Sequence, residues 1–170
     1  MRKAIVMAVF LFSLLIIPHK ADGKNHDNIL GFNSGYTWGI RGIHAGLNLQ
    51  HYFSSHWGIQ VEYHYQRETP RDDSFTICYL NVIYRVIDKK KGKFSWYIST
   101  GVGMMHMNPS VLFSKVGQGM KWSFSPRLSL HLGFSVWPAP LFIMGPPGFK
   151  LFPSGGPNFV SLHVGLEYGF

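Results

Sequence analysis

The chain has little charge and almost no cysteine for its length. Only 14% of its 170 residues are charged, against about 25% in typical soluble domains. Cys78 is the single cysteine, so an internal disulfide framework is excluded. A soluble domain needs charged side chains on its water-facing surface, and this composition provides few of them. The composition therefore argues against an ordinary soluble domain and against a small secreted domain held by disulfides.

Helical periodicity is also missing after residue 24. Apolar residues recur instead at every second position, in runs that turn residues separate. Glycine and aromatic residues are abundant, with 19 Gly, 14 Phe, 8 Tyr and 5 Trp. Because 170 residues leave room for one domain and little else, the pattern predicts a single all-β domain.

The N-terminal segment differs in composition from the rest of the chain. A basic start is followed by an apolar run over residues 4–17 and by small residues up to Gly23. This layout is typical of a secretory signal peptide. We expect residues 1–23 to be a signal peptide, cleaved after Gly23 or alternatively after Ala21, and residues 24–170 to be the mature domain. An uncleaved anchor helix is the alternative, although the apolar run is short for a membrane span.

Removal of this segment would leave a modest positive charge. Three of the 16 Lys and Arg residues and one of the 8 acidic residues lie within it, which leaves 13 bases against 7 acids. These charges are scattered, apart from a lysine-rich run at 89–93 that we interpret as a solvated turn. Because an export signal is hard to reconcile with a nucleic-acid role, we expect no nucleic-acid partner.

The clearest alternation lies at the C-terminus. Apolar side chains occupy every second position from Val160 to Phe170. The positions between them are small, polar or charged, and include His163 and Glu167. In a strand these two sets point to opposite faces of the sheet. The last strand is therefore predicted to have one apolar face and one polar face.

Seven further strands are predicted upstream, at residues 29–40, 43–53, 57–65, 74–87, 94–104, 117–124 and 127–136. Short connections at 54–55, 88–92 and 125–126 alternate with longer ones at 66–73, 107–116 and 138–158, and 41–42 is a short exception. Outer-membrane barrels have an even number of strands, short periplasmic turns and longer external loops. The sequence thus predicts an all-β fold, an eight-stranded antiparallel up-and-down transmembrane β-barrel.

A soluble, lipocalin-like barrel is the alternative, and it would turn the apolar faces inward. The polar faces carry few charges and are rich in Gly and Ser, which favours a narrow lumen over a water-facing surface. The aromatic residues are also predicted to form two bands, as expected at the two lipid interfaces. The periplasmic band contains Phe53, Trp57, Tyr84, Phe94, Trp96, Trp122, Phe124, Tyr168 and Phe170, and the outer band contains Tyr36, Trp38, Tyr63, Tyr65 and Phe134.

These features resemble the small outer-membrane β-barrels of the OmpA-like and OmpX-like type. The resemblance covers most of the mature chain and is most specific in the last strand. There Tyr168 and the terminal Phe170 resemble the signal that the barrel-assembly machinery reads in that family. The segment 124–134 also looks like the last periplasmic turn and seventh strand of these proteins. The resemblance implies export through the periplasm to the outer membrane, with membrane lipids and lipopolysaccharide as partners.

More distantly, the chain resembles the lipid A deacylases of the PagL type, which are also eight-stranded barrels. That family carries a His-x-Ser-Asn stretch at the outer end of the seventh strand. Ser135 is present here, but no histidine lies two residues before it and no asparagine follows. A serine without an adjacent base is a weak nucleophile. The stretch Gly-Gly-Pro-Asn at 155–158 is similar to that family but carries no chemistry of its own, so we assign no catalytic residue.

Eight ionisable side chains are predicted to form a polar network in the lumen. They are Glu62, His64, Arg85, Lys121, Arg127, His131, His163 and Glu167. Because charges in a dry interior require partners, we expect a polar plug in which the glutamates pair with the basic residues. A metal site would need three or four converging ligands, which the sequence does not establish, so we expect neither a metal nor a cofactor.

The predicted function is that of a non-enzymatic, monomeric barrel with an envelope-structural or surface-interaction role. The predicted barrel is porin-like in architecture. An eight-stranded barrel is just wide enough inside for its own side chains, so a general diffusion pore is not expected. Prolines and glycines exclude a regular helix in the apolar connection 138–158. We expect it to cover the barrel mouth as a lid, or alternatively to contact lipid or a partner. A divergent lipid A-modifying enzyme remains the alternative function.

Overall fold

The computed structural model describes residues 28–39, 41–68, 73–87, 93–106, 110–137, 142–145, 148–151 and 159–170. The predicted signal peptide, the lysine-rich residues 89–91 and the stretch 155–158 lie outside these residues. Within the described ranges, no helix is both long and apolar enough to cross a membrane.

The described residues form ten antiparallel strands. They are β1 (Asn28–Trp38), β2 (Gly42–Tyr52), β3 (Trp57–Glu68), β4 (Ser74–Ile87), β5 (Phe94–His106), β6 (Ser110–Ser123), β7 (Leu128–Trp137), β8 (Phe142–Gly145), β9 (Gly148–Leu151) and β10 (Phe159–Gly169). All but the short β8 and β9 close a barrel, in the order β1 to β7 and then β10, which pairs with β1. The predicted eight-stranded antiparallel up-and-down barrel is confirmed.

The register shows how far the barrel is staggered. One row of paired residues starts at Trp57 on β3 and returns to the same strand at Arg67, after passing through Tyr84, Ile98, Gln118, Phe134, Leu162, Tyr36 and Ile43. The row therefore climbs ten residues (67 minus 57) in one circuit. Such a stagger tilts the strands, by about 40° in outer-membrane barrels. Ten residues then correspond to a height of about 25 Å, which matches the apolar band of such barrels.

The apolar face of the strands points outward. Along β10 the side chains of Leu162 and Leu166 are exposed, whereas those of His163 and Glu167 are buried in the lumen. A barrel in water would have the reverse arrangement, because leucine would be removed from the solvent and glutamate would remain in it. The soluble, lipocalin-like alternative is therefore wrong for this fold.

Most predicted strands match the observed ones within a few residues, but β6 does not. It begins at Ser110 rather than at 117, and residues 111–116 pair with β5. The predicted loop 107–116 is therefore wrong. The two faces are hard to recognise here because Phe113 points into the lumen while Ser114 lies on the outer face. At these two positions the alternation of polar and apolar residues is the reverse of that along β10.

A hairpin made of β8 and β9 lies within the predicted loop 138–158. The backbone of β8 pairs with β6 at residues 110–112, beyond the end of the β6–β7 pairing at Val116 and Val136. The hairpin consequently lengthens the barrel wall along β6. The lid prediction is wrong for residues 142–145 and 148–151, because their backbones continue the sheet.

Apolar side chains also occupy the lumen, at its two ends. A cluster of Phe75, Ile77, Tyr79, Met105, Phe113 and Trp137 lies at the end that carries the long connection 138–158. Ile29, Tyr52 and Ile83, together with Tyr97, form a smaller cluster at the other end, near the short turns 53–56 and 124–127. We call these two ends of the barrel the long-loop end and the short-turn end. Polar side chains fill the space between the two clusters.

We predict that a charge on the outward face destabilises the barrel according to its depth. Leu162 lies near the middle of the row from Trp57 to Arg67, so Leu162→Arg should lower the free energy of unfolding by about 2–4 kcal/mol. Urea titration of the protein refolded in phospholipid vesicles measures this loss. Phe53→Arg, at the short-turn end, is the matched control and should cost about 0–1 kcal/mol. Equal losses at the two positions would show that the outward face does not contact lipid.

Candidate functional site in the barrel lumen

Glu62 is the centre of one buried cluster in the lumen. Its side chain is 3% exposed, and its Oε1 accepts hydrogen bonds from Lys115 Nζ at 2.7 Å and from Asn81 Nδ2 at 2.6 Å. His64, two residues along the same face of β3, places Nε2 2.8 Å from Oε2. Charge-assisted hydrogen bonds of this kind are among the strongest in proteins. They offset the cost of taking the carboxylate out of water.

Glu167 is the centre of a second cluster, closer to the short-turn end. Lys121 Nζ lies 2.5 Å from Oε2, and Gln50 Nε2 donates a hydrogen bond to Oε1 at 2.7 Å. His131 Nδ1 is 3.7 Å from the same Oε1. These four side chains come from β10, β6, β2 and β7, so the cluster connects opposite walls of the barrel.

Histidine rings fill the space between the two clusters. His64 stacks on His44 with ring centroids 5.1 Å apart, and His44 faces His163 at 6.3 Å. His163 in turn contacts His131 at 5.0 Å, and the Tyr97 hydroxyl hydrogen-bonds to His131 Nε2. A continuous series of rings therefore connects the Glu62 cluster to the Glu167 cluster.

Two predicted members of the network form no ion pair with either glutamate. The Arg85 guanidinium donates hydrogen bonds to the Ser55 carbonyl at 3.2 and 3.3 Å and lies 4.0 Å from the centre of the Tyr52 ring. Arg127 is exposed and donates to the Tyr168 hydroxyl at 3.3 Å. The predicted pairing of these arginines with the glutamates is corrected, because Arg127 lies in the turn before β7 and Arg85 lies near the end of β4.

The structure also adds residues that the sequence pattern missed. Lys115 was overlooked because it falls in the region predicted as loop 107–116, although it makes the closest ionic contact of Glu62. His44, Gln50 and Asn81 are also buried in the lumen. All three lie on the inward side of strands that were predicted, so the period of two identifies them once the inward face is known.

Little space remains between these side chains. A void of about 10 Å³ is lined by Glu62, Lys115, His131 and Ser135, among others. A second void of about 10 Å³ lies beside Arg85 and Glu167. Each has room for about one water molecule. Neither void has room for a solute larger than water.

The described residues do not assemble a metal site, and Ser135 is not accessible as a nucleophile. They contain no group of three or more His, Cys, Asp or Glu side chains able to hold a metal ion. Ser135 points into the lumen and is 2% exposed. An acyl ester at the membrane surface could not reach its hydroxyl, because a nucleophile must contact the atom that it attacks.

The aromatic residues predicted to form two bands all lie on the outer surface. Their side chains are between 37% and 61% exposed. Trp57 and Trp122 lie at the short-turn end, whereas Tyr36 and Tyr65 lie toward the long-loop end. Tyr168 and Phe170, the predicted assembly signal, are exposed at the short-turn end. Their recognition by an assembly machinery stays a prediction.

Solved structures of similar fold are small outer-membrane barrels. The N-terminal β-barrel domain of Pseudomonas aeruginosa OprF has a TM-score of 0.65 and 10% identity, and the match covers 86% of this chain and 98% of that one. Neisserial surface protein A (NspA) has a TM-score of 0.57 and 11% identity, with 84% and 94% covered. Ail, the attachment invasion locus protein of Yersinia pestis, has a TM-score of 0.51 and 12% identity, with 84% and 96% covered.

No protein-family model matches the chain, and no curated protein matches it. The fold is that of the small eight-stranded outer-membrane β-barrels. Identities near one residue in ten establish this fold but do not transfer the activity of any one of these proteins.

We predict that the Lys115–Glu62 pair is essential to the stability of the lumen. Lys115→Met removes the ammonium and leaves a buried carboxylate short of a partner, so the free energy of unfolding should fall by about 3–5 kcal/mol. The double variant Lys115→Met/Glu62→Gln should recover much of this loss, because it removes the unpaired charge. Urea unfolding in vesicles measures both. Arg127→Gln, in an exposed turn, should have little effect, and strict additivity of the two lumen changes would show that the residues are not coupled.

Proposed function

We propose that this chain is a non-enzymatic outer-membrane barrel with a role in envelope structure or surface interaction. The observation that carries the proposal is the inverted arrangement of the barrel. Its outer surface is apolar over about 25 Å of height and is bounded by aromatic side chains, whereas Glu62, Glu167 and Lys115 are buried inside. Lipid is the solvent that suits such a surface. In lipid, a closed barrel satisfies the hydrogen bonds of its backbone groups by pairing each strand with its two neighbours.

The filled lumen supports a structural role over a transport role. Glu62 and Glu167 each have a lysine within 2.7 Å, and apolar clusters lie at both ends of the lumen. A hydrated ion would have to separate these pairs and pass through side chains that are already in contact. The filled interior therefore favours a barrel that holds the outer connections rigidly over a barrel that acts as a pore.

The surface-interaction part of the proposal rests on the long-loop end. The hairpin β8–β9 continues the wall beyond β7, and the connection 138–158 that contains it is rich in Leu, Ile, Met and Phe. Apolar residues at such a position favour contact with another molecule. We propose outer-membrane lipid and lipopolysaccharide as the surroundings of this segment, and the barrel-assembly machinery as a transient partner during insertion.

Expression in Gram-negative cells should place the protein in the outer-membrane fraction. Folded β-barrels resist detergent at room temperature, so the unboiled sample should migrate differently from the boiled one on a denaturing gel. Density-gradient fractionation and paired gel lanes measure these two properties. Recovery in the soluble periplasmic fraction, with identical migration before and after boiling, would refute the proposed location.

The lipid A-modifying alternative predicts that the protein removes acyl chains from lipopolysaccharide, whereas the proposed function predicts that it does not. Incubation of the refolded protein with lipopolysaccharide should leave the acyl chains unchanged, because the Ser135 side chain is enclosed in the lumen. Mass spectrometry of the recovered lipid A measures the acyl pattern, with Ser135→Ala as the matched control. Loss of an acyl chain with the unchanged protein but not with Ser135→Ala would establish the enzyme instead.

A further inference from the structure

A primary amide lies on the mainly apolar outer face of β6. Gln118 belongs to the outward row and is exposed. Its paired neighbours are Ile98 on β5 and Phe134 on β7, and the next outward residues on its own strand are Val116 and Met120. All four neighbours are apolar, and the nearest polar side chain on the outer face is Thr100, which pairs with Val116 and so lies diagonally across from Gln118.

The register places Gln118 well inside the apolar band. It is the fourth of nine positions on the row that climbs from Trp57 to Arg67, which puts it about 10 Å above the level of Trp57. Trp122, in the aromatic band at the short-turn end, lies four residues away on the same strand. A glutamine side chain is much shorter than this separation, so its amide cannot reach the interface.

An amide at this depth requires a hydrogen-bond partner. A polar group left without one in hydrocarbon costs several kcal/mol. The backbones on both sides of Gln118 are already engaged, because β6 pairs with β5 and with β7 at this position. None of the hydrogen bonds among the described residues involves its side chain. Among the described residues the amide is therefore without a partner, and one from outside the barrel would satisfy it.

Two other polar residues of the outer face lie on the same side of the wall as Gln118. Thr100 on β5 is its diagonal neighbour and Ser114 lies four residues away on β6, and with Gln118 they form what we call the polar patch. The two strands that follow β6 around the barrel lack such residues, since every outward position of β7 and of β10 is apolar. The polar patch therefore marks one side of the wall.

We propose that a second copy of this chain covers the polar patch, with the two Gln118 amides hydrogen-bonded to each other across a two-fold axis. A carboxamide carries both donors and an acceptor, so two copies related by a two-fold axis satisfy each other. Two-fold pairs are the commonest homo-oligomers, and polar side chains link transmembrane segments in this way. The inference rests on the proposed membrane location and replaces the monomer expected from the sequence.

Sedimentation equilibrium of the full refolded chain in density-matched detergent micelles tests this dimer. The unchanged protein should form dimers, and Gln118→Leu should raise the dimer dissociation constant about tenfold. Gln118→Asn, which keeps the amide, should restore part of the affinity, whereas Met120→Leu on the same face should change little. A protein that stays monomeric at every concentration overturns the proposal, and so does a dimer that Gln118→Leu leaves unchanged.

Crosslinking in lipid vesicles locates the interface. In a Cys78→Ala background, Val116→Cys should crosslink between copies, and Leu47→Cys, at similar depth on the opposite strand β2, should not. Addition of Gln118→Leu should abolish the crosslink at 116. Equal crosslinking at both positions would mean random collision and would overturn the proposed interface. Comparison of boiled and unboiled gel lanes shows whether the barrel has folded. A folded barrel that remains a monomer overturns the proposed dimer and leaves the proposed function intact.

Discussion

Pairing of β5 with β6 and of β1 with β10 leaves no free edge in the eight-stranded barrel, and the remaining architecture depends on this closure. A sheet that lies in lipid cannot leave backbone N–H and C=O groups unpaired, because no water is present to accept them. Closure satisfies these groups and so permits an outer surface without charge. The low charge content of the chain, which is unsuited to a soluble domain, is what this surface requires.

The ten-residue stagger and the strand number together fix both the height of the wall and the width of the lumen. The lumen is so narrow that side chains from opposite strands meet, as Gln50 on β2 and Glu167 on β10 do at 2.7 Å. Charged groups inside must therefore pair within the barrel rather than with water. The same constraint makes Glu62 and Lys115 contribute to stability and deprives Ser135 of access to any substrate at the membrane surface.

The sequence was most informative where the lumen and the exterior have opposite polarity. Along β10 from Val160 onward, every inward residue is small, polar or charged and every exposed residue is apolar, so period-two alternation predicted the strand and its faces. Along the first half of β6 this contrast disappears, because Phe113 enters an apolar cluster inside the lumen while Ser114 faces outward. A local pattern cannot reveal that the lumen changes from polar to apolar along its axis, and Lys115 was therefore missed.

The sequence by itself determined the fold class, the number of barrel strands and the outward direction of the apolar faces, because alternation and turn spacing are local properties of the chain. Only the tertiary structure decided which side chains meet. The pairing of Glu62 with Lys115, the separation of Arg85 and Arg127 from the glutamates, and the depth of Gln118 in the wall all follow from the register between strands. Register depends on how the whole sheet closes, and no single strand contains that information.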